Sequence, residues 1–345
     1  MSSYTRVIPE LRAAHAERAR TWGRDETILY KSRKWDLGKD ETVPGNCHRL
    51  SLHAIWKVCR QARPIIELPE PLWVRELPST VALTIAFWAL SIGRARFVTY
   101  AIENNDLGAL LGGGFRGRVI RSVIGRFFGL VLRRIAYGSE GAAATYAQLP
   151  GFETVGSTVI LELPADGLNG VTPRQRSGAL FVGRLEERKG VSHLMEAWGA
   201  VEHLWPDDLL IVGDGPLRPV VESWVAERPA SRSMITHIEH TDLSQVYQSK
   251  TVLVAPSKRA GRWREQIGLP VKEGLANGMT IVTTPETGLA SWLRQQGHHV
   301  APLSDLSEAI RSALFNPLSP ERVVRALPPV DGREISDRWL KGETC

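Results

Sequence analysis

Residues 179–201 read ALFVGRLEERKGVSHLMEAWGAV, and this stretch decides the fold class. The apolar run Ala179–Val182 ends at a glycine, which is typical of a short buried strand. The apolar residues after the charged segment share one helical face: Val191, Leu194, Met195, Trp198 and Val201. The strand pattern then recurs at Leu209–Val212, Val252–Ala255 and Thr280–Thr283. Strands that alternate with helices predict an α/β fold with a parallel sheet, whose ligands bind at the carboxyl ends of the strands.

The first half of the chain is also predicted to be α/β. Candidate strands lie at Thr27–Lys31, Ile65–Leu68 and Phe97–Ala101, and a helical pattern covers His53–Arg60. The polar, Gly- and Pro-containing stretch Asp166–Ser177 is the expected linker. We therefore predict an N-terminal domain over 1–170, a second domain over 171–315, and a tail over 316–345 that packs back on the first domain.

Composition indicates a globular protein of a reducing compartment. Apolar residues make up 43% of the 345 residues and charged residues 23%. The start of the chain is charged and lacks the apolar core of a signal peptide. The longest apolar run, Val81–Ile92, is shorter than the roughly 20 residues of a spanning helix and predicts a buried or interfacial helix. Cys47, Cys59 and Cys345 form no disulfide framework, so we expect a cytoplasmic protein.

The segment Glu265–Gly278, EQIGLPVKEGLANG, predicts a site for an anion. Pro270 suits the first turn of a helix, and Gly278 lies where a helix commonly ends. Gly268 and Leu269 would then precede a helix N-terminus, whose outward N–H groups favour a phosphate. Glu265 lies before this loop and Glu273 in the expected first turn, so two carboxylates flank the phosphate position.

Two further strand exits converge on the same predicted edge. Arg184 and Lys189 follow one strand and precede a helix, a position from which cations can clamp a diphosphate. The segment VGDGP, residues 212–216, leaves the next strand with glycines at Gly213 and Gly215, which allow close approach of a ligand.

These motifs resemble those of retaining glycosyltransferases of family 4, the glycosyl transferases group 1. The matching segments are VGRLEERKG at 182–190, VGDGP, APS at 255–257, the Glu265/Glu273 pair around GLP, and TGL at 287–289. The resemblance covers about residues 178–312. It implies the GT-B fold, in which two Rossmann-like domains with parallel sheets face each other across a cleft.

The resemblance also implies residue roles. Arg184 and Lys189 would neutralise the donor diphosphate, Glu265 would bind hydroxyls of the transferred sugar, and Glu273 would hold the ribose. The resemblance also implies positions that bind the donor through the backbone or lie near its nucleobase. These are Gly183, Gly213, Gly215, His237, Ile238, Ile267, Gly268 and Leu269. The resemblance implies a reaction that retains anomeric configuration and needs no metal, and no Asp-x-Asp motif is present. No cofactor is expected beyond the nucleotide diphosphate sugar as co-substrate.

The part of the chain that would bind the sugar acceptor, its first half, contains fewer recognisable motifs. The family usually opens with a strand and a glycine-rich loop, a pattern that Tyr4–Arg12 lacks, and often has a histidine after the fourth strand. The matching stretch here, Thr99–Asn105, has none. Glu103 is its nearest polar candidate for contact with the reacting centre.

The excess positive charge lies in the first half, with 22 Lys and Arg against 16 Asp and Glu in residues 1–172. Its densest part, Arg116–Arg134, interleaves six arginines with Val, Ile, Phe and Leu. Such a helix can bind an anionic membrane surface. It can equally be a buried helix with a solvated basic edge, or face an anionic substrate, and the sequence leaves these open.

Other patterns are assigned structural roles. Gly112–Gly117 matches GxGxxG, but no strand precedes it. The acidic residue that binds the ribose in a dinucleotide site, about 20 residues further on, is also missing, so we expect a loop. The pairs His237/His240 and His298/His299 lack companion ligands and are expected to be loop histidines. No nucleic-acid module is recognisable, so nucleic acid is not an expected partner.

The sequence thus predicts transfer of a hexose-like sugar from a nucleotide diphosphate donor to a lipid-linked, glycan or small-molecule acceptor. The protein would be cytoplasmic, with possible peripheral attachment to the inner face of the membrane. Two alternatives remain: a non-catalytic sugar-nucleotide-binding subunit, and a sugar-nucleotide epimerase or phosphorylase of the same fold.

Overall fold

The computed structural model describes residues 3–23, 25–34, 42–166, 176–204, 208–238 and 240–343. The chain divides into two compact units. The first comprises Met1–Gly138, Ala142–Ile160 and Ile335–Cys345, and the second Ser139–Gly141 and Leu161–Glu334. The change of unit thus falls at Ile160, whereas the sequence suggested residue 170, and residues 167–175 of the expected linker lie outside the described residues.

The secondary-structure elements through residue 160 are β1 (Tyr4–Leu11), α1 (Ala13–Arg20), β2 (Glu26–Arg33), β3 (Cys47–Arg49), α2 (Leu52–Cys59), β4 (Ile65–Leu68), α3 (Leu77–Leu90), β5 (Arg96–Ala101), α4 (Leu107–Leu111), α5 (Gly114–Val131), β6 (Leu132–Tyr137), α6 (Glu140–Tyr146) and β7 (Gly156–Val159). The elements that follow are β8 (Ala179–Val182), α7 (Val191–Val201), β9 (Leu209–Val212), α8 (Arg218–Glu227), β10 (Arg232–Ile235), α9 (His240–Ser249), β11 (Val252–Ala255), α10 (Leu269–Ala276), β12 (Thr280–Thr283), α11 (Ala290–Gln295), β13 (His299–Val300), α12 (Leu306–Phe315), α13 (Pro320–Arg325) and α14 (Gly332–Lys341).

The sheet of the first unit is parallel, with strand order β3-β2-β1-β4-β5-β6-β7. Its interior strand β1, which pairs with β2 and β4, went unpredicted, because Arg6 and Pro9 interrupt the apolar pattern. Arg6 is buried but compensated by ion pairs with Glu67, at 2.6 Å, and with Asp337. Pro9 follows the last pair between β1 and β4, so its missing N–H costs no bond on that side.

Helices α2, α3 and α5 pack on one face of this sheet through a shared core. Phe87 of α3 and Phe128 of α5 are fully buried there with Ile66 and Ile135 of the strands. The sequence predicted a buried or interfacial helix over Val81–Ile92. Helix α3 ends at Leu90 and is buried on one side only, since Ile85, Trp88 and the following Ile92 are 53%, 58% and 84% exposed. Among the described residues, no helix is both long and apolar enough to cross a bilayer.

The second unit has a parallel sheet of order β10-β9-β8-β11-β12-β13. The strands predicted at 179–182, 209–212, 252–255 and 280–283 are confirmed as β8, β9, β11 and β12. The helix predicted after β8 is confirmed as α7. Its Leu194 and Trp198 are fully buried, and Met195 packs at the edge of the core.

Candidate functional site

The second unit has a topological switch point between β8 and β11. These strands are neighbours, yet the chain passes through β9 and β10 on one side before it returns to form β11. In a parallel sheet the loops after such strands diverge and leave a crevice at their carboxyl ends, where ligands bind. The segments that the sequence singled out leave the sheet on this edge.

A compact polar cluster lies across the switch point. Lys189 is the last residue of a one-turn 3-10 helix, Glu187–Lys189, after β8. Its Nζ lies 2.5 Å from Oε2 of Glu265, which also accepts a 2.8 Å hydrogen bond from Oγ of Ser257 after β11. The side chains of Lys189 and Glu265 are 21% and 15% exposed, so the charges are partly shielded from water. The structure thus brings together two residues predicted from segments 76 positions apart in the sequence.

An aromatic ring lies beside the same cations. The Trp263 ring centroid is 5.1 Å from Nζ of Lys189 and 4.4 Å from Cζ of Arg188. Such cation–π contacts favour a fixed position of the cation. Arg184, by contrast, has a 63% exposed side chain, with Nε 3.7 Å from Oε2 of Glu186. Arg184 is therefore at the same strand exit but much less constrained than Lys189.

The helix N-terminus predicted around Pro270 is confirmed. Helix α10 begins at Leu269, with Gly268 as its N-cap at φ 86°, a conformation that favours glycine. The turn before it is held from the loop after β12: Oγ1 of Thr287 donates to the carbonyl of Ile267 at 2.9 Å, and the N–H of Gly288 to that of Gln266. The TGL segment thus fixes the loop that presents Gly268 and Leu269, and Leu269 is 66% exposed.

Glu273 does not lie in the first turn of α10, as the sequence suggested. The helix starts at Leu269, which places Glu273 one turn further along, and no acidic residue occupies the first turn. Its Oε2 accepts a 2.6 Å hydrogen bond from the Tyr247 hydroxyl on α9. Burial, together with the charge of Glu273, raises the pKa of Tyr247 well above its usual value, so the phenol stays a donor. Glu273 is accordingly a positioned carboxylate rather than a helix cap.

The glycine-rich exit after β9 lies against the exit after β8. A Cβ on Gly213 would come within 1.9 Å of the Gly183 carbonyl oxygen, and one on Gly215 within 2.5 Å of that of Leu185. Only glycine allows this approach of the two loops. His237 and Ile238 follow β10 at the sheet edge, exposed and half-buried respectively, while Glu239 lies outside the described residues.

In the first unit, Glu103 follows β5 and is joined there by Glu70, which follows β4. The Glu70 carboxylate accepts backbone hydrogen bonds from Ile102 at 3.0 Å and Glu103 at 3.1 Å. Burial raises the pKa of Glu70 to about 7, against the lowering effect of these hydrogen bonds. Glu103 itself accepts from the N–H of Asn105 at 3.0 Å, so both carboxyl groups shape the same loop.

Glu70 should make stability fall as the pH rises from about 4.5 to about 7. The folded protein retains a proton in this window that the unfolded chain has lost, so raising the pH favours unfolding. Glu70→Gln removes this component, because the amide cannot ionise. We expect the melting temperature of the variant, relative to wild type, to rise between pH 5 and pH 8 by at least about 2 °C. A difference independent of pH, or one also seen for the exposed Glu153→Gln, would contradict the assignment.

The structure also shows where the GxGxxG run and His298 lie. The GxGxxG run is not wholly a loop, because α5 begins at Gly114, and it follows helix α4 rather than a strand. His298 is buried, with Nδ1 accepting from the N–H of Ile281 at 3.1 Å, and burial lowers its pKa to about 4. No group of three possible metal ligands occurs among the described residues.

Sequence reasoning missed several side chains of this region. Ser257 was visible within APS but received no role. Tyr247 gives no signal, since an aromatic residue in a helix usually belongs to the core. Trp263 and Glu70 lie in loops without a recognisable pattern, and only the fold shows what they contact.

Comparison with known proteins agrees with the motifs. Residues 176–316 match the family model of Glycosyl transferases group 1. The resemblance that the sequence indicated is therefore confirmed over that segment, although family 4 itself is not distinguished. No curated protein matches the sequence.

Three solved structures share the fold of the whole chain. Anabaena HepE in complex with UDP superposes with a TM-score of 0.72 at 11% identity, covering 99% of both chains. WaaG, a glycosyltransferase involved in lipopolysaccharide biosynthesis, gives 0.62 at 13% identity, covering 98% of this chain and 100% of its own. The E. coli trehalose-6-phosphate structure bound with UDP-2-fluoro glucose gives 0.66 at 11% identity, covering 99% and 100%. The chain thus has the GT-B fold, and most of its second unit matches the Glycosyl transferases group 1 model.

Proposed function

We propose that the protein is a retaining glycosyltransferase that moves a hexose-like sugar from a nucleotide diphosphate donor to a lipid-linked, glycan or small-molecule acceptor. The observation that supports this most is the Lys189–Glu265–Ser257 cluster at the switch point of the second unit. Binding of UDP by the structural neighbour HepE is consistent with such a donor.

The donor diphosphate would lie between the cations after β8 and the N-terminus of α10. When the sugar leaves, negative charge develops on the diphosphate, and donors that are already in place stabilise it without reorganisation. Lys189 can serve Glu265 and a phosphate together, because an ammonium group has three N–H donors. Arg184, whose side chain is 63% exposed, would add a bidentate contact.

The two carboxylates would divide the donor between them. Glu265, held by Lys189 and Ser257, would accept hydrogen bonds from hydroxyls of the transferred sugar. Glu273, held by Tyr247, would accept from the ribose. On the acceptor side, Glu103 with Glu70 supplies the polar groups at the carboxyl ends of β4 and β5, and Glu103 remains the proposed contact with the reacting centre.

A transfer assay tests this proposal. The protein is incubated with a panel of nucleotide diphosphate sugars, with and without lipid, glycan and small acceptors, and products are analysed by mass spectrometry and NMR. We expect acceptor-dependent release of nucleoside diphosphate with retained anomeric configuration. Turnover in excess EDTA should match that in magnesium, because Lys189, Arg184 and the α10 N-terminus supply the positive charge.

Other outcomes identify the alternatives. Tight nucleotide binding without any turnover would favour a non-catalytic subunit. Epimerised sugar, or a sugar phosphate formed in the presence of orthophosphate, would favour an epimerase or phosphorylase. Loss of activity in EDTA with recovery in magnesium would exclude the metal-free mechanism.

We further propose that the first unit binds an anionic membrane surface through α5. The exposed face of this helix is apolar, with Phe115, Val119, Val123 and Leu130 exposed by 74%, 45%, 62% and 87%. The exposed Arg116 and Arg118 lie on its two sides, and the exposed Arg126 lies within it, one turn before Leu130. Arg121, which the sequence grouped with them, is half-buried and donates to the carbonyl of Gly112 at 3.1 Å, so it does not belong to this surface. An apolar stripe between basic residues is the composition of an interfacial helix.

Helix α3 extends the same surface. It enters the same core as α5, on the same face of the sheet, and exposes Ile85 and Trp88, with Ile92 exposed just beyond its last residue. Tryptophan favours the interface between membrane and water, because it has a large apolar ring with one N–H donor. Exposed arginines and exposed apolar residues therefore lie together on one face of the first unit. A protein that takes a lipid-linked acceptor from a membrane would require such a surface.

Replacing Arg116, Arg118 and Arg126 with Gln should weaken binding to anionic vesicles by roughly 100-fold, since each arginine near such a surface contributes about 1 kcal/mol. Vesicle co-sedimentation at low and high salt measures the effect, which screening should reduce. The matched control removes three exposed arginines of the second unit, Arg294, Arg322 and Arg325, and should bind as wild type. Equal binding of wild type to neutral and anionic vesicles would exclude the membrane proposal.

A further inference from the structure

The first unit contains a cavity at the edge of its sheet opposite to Glu103. The cavity has a volume of about 550 Å³ and is lined by Arg96, Arg133, Arg134 and Lys341, with Ile65 and Leu340 among the apolar residues. Ile65 and Arg96 begin β4 and β5, and Arg133 is the second residue of β6, so the cavity lies at the amino ends of these strands. The last turn of α14 forms its other wall.

Positive charge in this cavity is not balanced by its own lining. Four of the lining residues are cationic and none of those described is acidic. Arg96 and Arg133 are exposed, and neither forms an ion pair within the described ranges. Lys341 pairs with Glu26, which does not line the cavity. Like charges that converge on one space repel each other unless an anion joins them, so their convergence favours an anionic occupant.

One of the arginines is fixed in place. Nη1 of Arg134 donates to the carbonyl of Trp339 at 2.7 Å, and its guanidinium lies 5.3 Å from the Trp339 ring centroid. A Cβ on Gly342 would come within 3.0 Å of the same Nη1, so this glycine leaves room for the guanidinium. Preorganised arginines lose little freedom on binding and match the geometry of phosphate oxygens.

We infer that this cavity is a second anion site, for a ligand that carries more than one phosphate group. Arginine pairs phosphate through two parallel hydrogen bonds, and three arginines with a lysine exceed what a single monoanion requires. The volume falls in the range of sites for small organic ligands and is far larger than one orthophosphate needs. The inference does not depend on the proposed transfer reaction, because the proposed donor site lies in the second unit.

Pyrophosphate binding, measured by isothermal titration calorimetry, tests this site. Every arm carries Arg184→Ala and Lys189→Ala, so that the proposed donor site does not contribute. We expect pyrophosphate to bind this background, and the added pair Arg96→Gln and Arg133→Gln to weaken it by at least about 30-fold, as two charge-assisted hydrogen bonds are lost. Both arginines are exposed, so the variant should keep the melting temperature of the background.

The matched control adds Arg60→Gln and Arg75→Gln, which remove the same charge from two exposed positions of the same unit. Its pyrophosphate affinity should be unchanged, and an equal loss in both variants, or no loss in either, would overturn the inference. Vesicles that contain phosphatidylinositol phosphates distinguish the source of the phosphates. Unchanged vesicle binding of the Arg96/Arg133 variant supports a soluble ligand, and weakened vesicle binding supports a lipid headgroup.

Discussion

Lys189→Ala should lower kcat/KM for the nucleotide-sugar donor by about 30-fold or more, the loss expected when one member of a shielded, hydrogen-bonded charge pair is removed. The variant loses the proposed contact with the diphosphate and also the 2.5 Å ion pair that positions Glu265. The first loss affects the diphosphate leaving group and the second affects the bound sugar. Turnover and donor affinity should therefore fall together. Steady-state kinetics with the donor identified in the transfer assay measure the loss.

Lys258→Ala is the control for this prediction. Lys258 follows the same strand as Ser257 but pairs with Glu187, at 3.0 Å, instead of Glu265. Its replacement removes a neighbouring cation of equal charge and should change kcat/KM by less than about threefold, because exposed ion pairs contribute at most about 1 kcal/mol. Equal losses in the two variants would mean that general electrostatics, rather than the cluster around Glu265, drive the effect.

Glu265→Gln and Glu273→Gln should separate the chemical step from nucleotide binding. Glu265→Gln should lower kcat by roughly 10- to 100-fold and leave binding of the bare nucleoside diphosphate nearly unchanged, because its proposed partner is the transferred sugar. Glu273→Gln should weaken the bare nucleotide by a similar factor, because ribose is common to substrate and product. Glutamine keeps an oxygen that can accept from Tyr247, so the local structure should persist.

Calorimetry with the nucleoside diphosphate and kinetics with the donor measure the two effects separately. The division of roles would be wrong if both variants weakened the bare nucleotide equally. It would also be wrong if Glu273→Gln reduced kcat at saturating donor while nucleotide affinity stayed the same.

Prediction from the sequence succeeded where local pattern and fold agree. Strands β8, β9, β11 and β12 are apolar runs between Gly or Pro, and a strand buried on both faces requires that composition. The α10 N-terminus followed from Gly268 and Pro270, whose backbone preferences do not depend on distant contacts. The candidate donor cluster followed because the carboxyl ends of parallel strands share one edge.

The rest depended on contacts that no local pattern encodes. Strand β1 was missed because its Arg6 is compensated by Glu67 and Asp337, which are distant in sequence. The sequence made Glu265 a candidate, but its contact with Lys189 depends on the order of the strands, which no local pattern encodes. The sequence also could not show that Arg121 and Arg118 differ in exposure. The Arg121 guanidinium donates to the carbonyl of Gly112, whereas Arg118 is exposed.

The carboxyl edge of β8 and β11 is the proposed binding site for a nucleoside diphosphate. Calorimetric titration of a panel of nucleoside diphosphates into wild type, Lys189→Ala and Lys258→Ala tests it most directly. At least one nucleotide should bind wild type and Lys258→Ala alike, and should bind Lys189→Ala about 30-fold or more weakly. Binding of no nucleotide by wild type, or equal affinity in all three proteins, would contradict it.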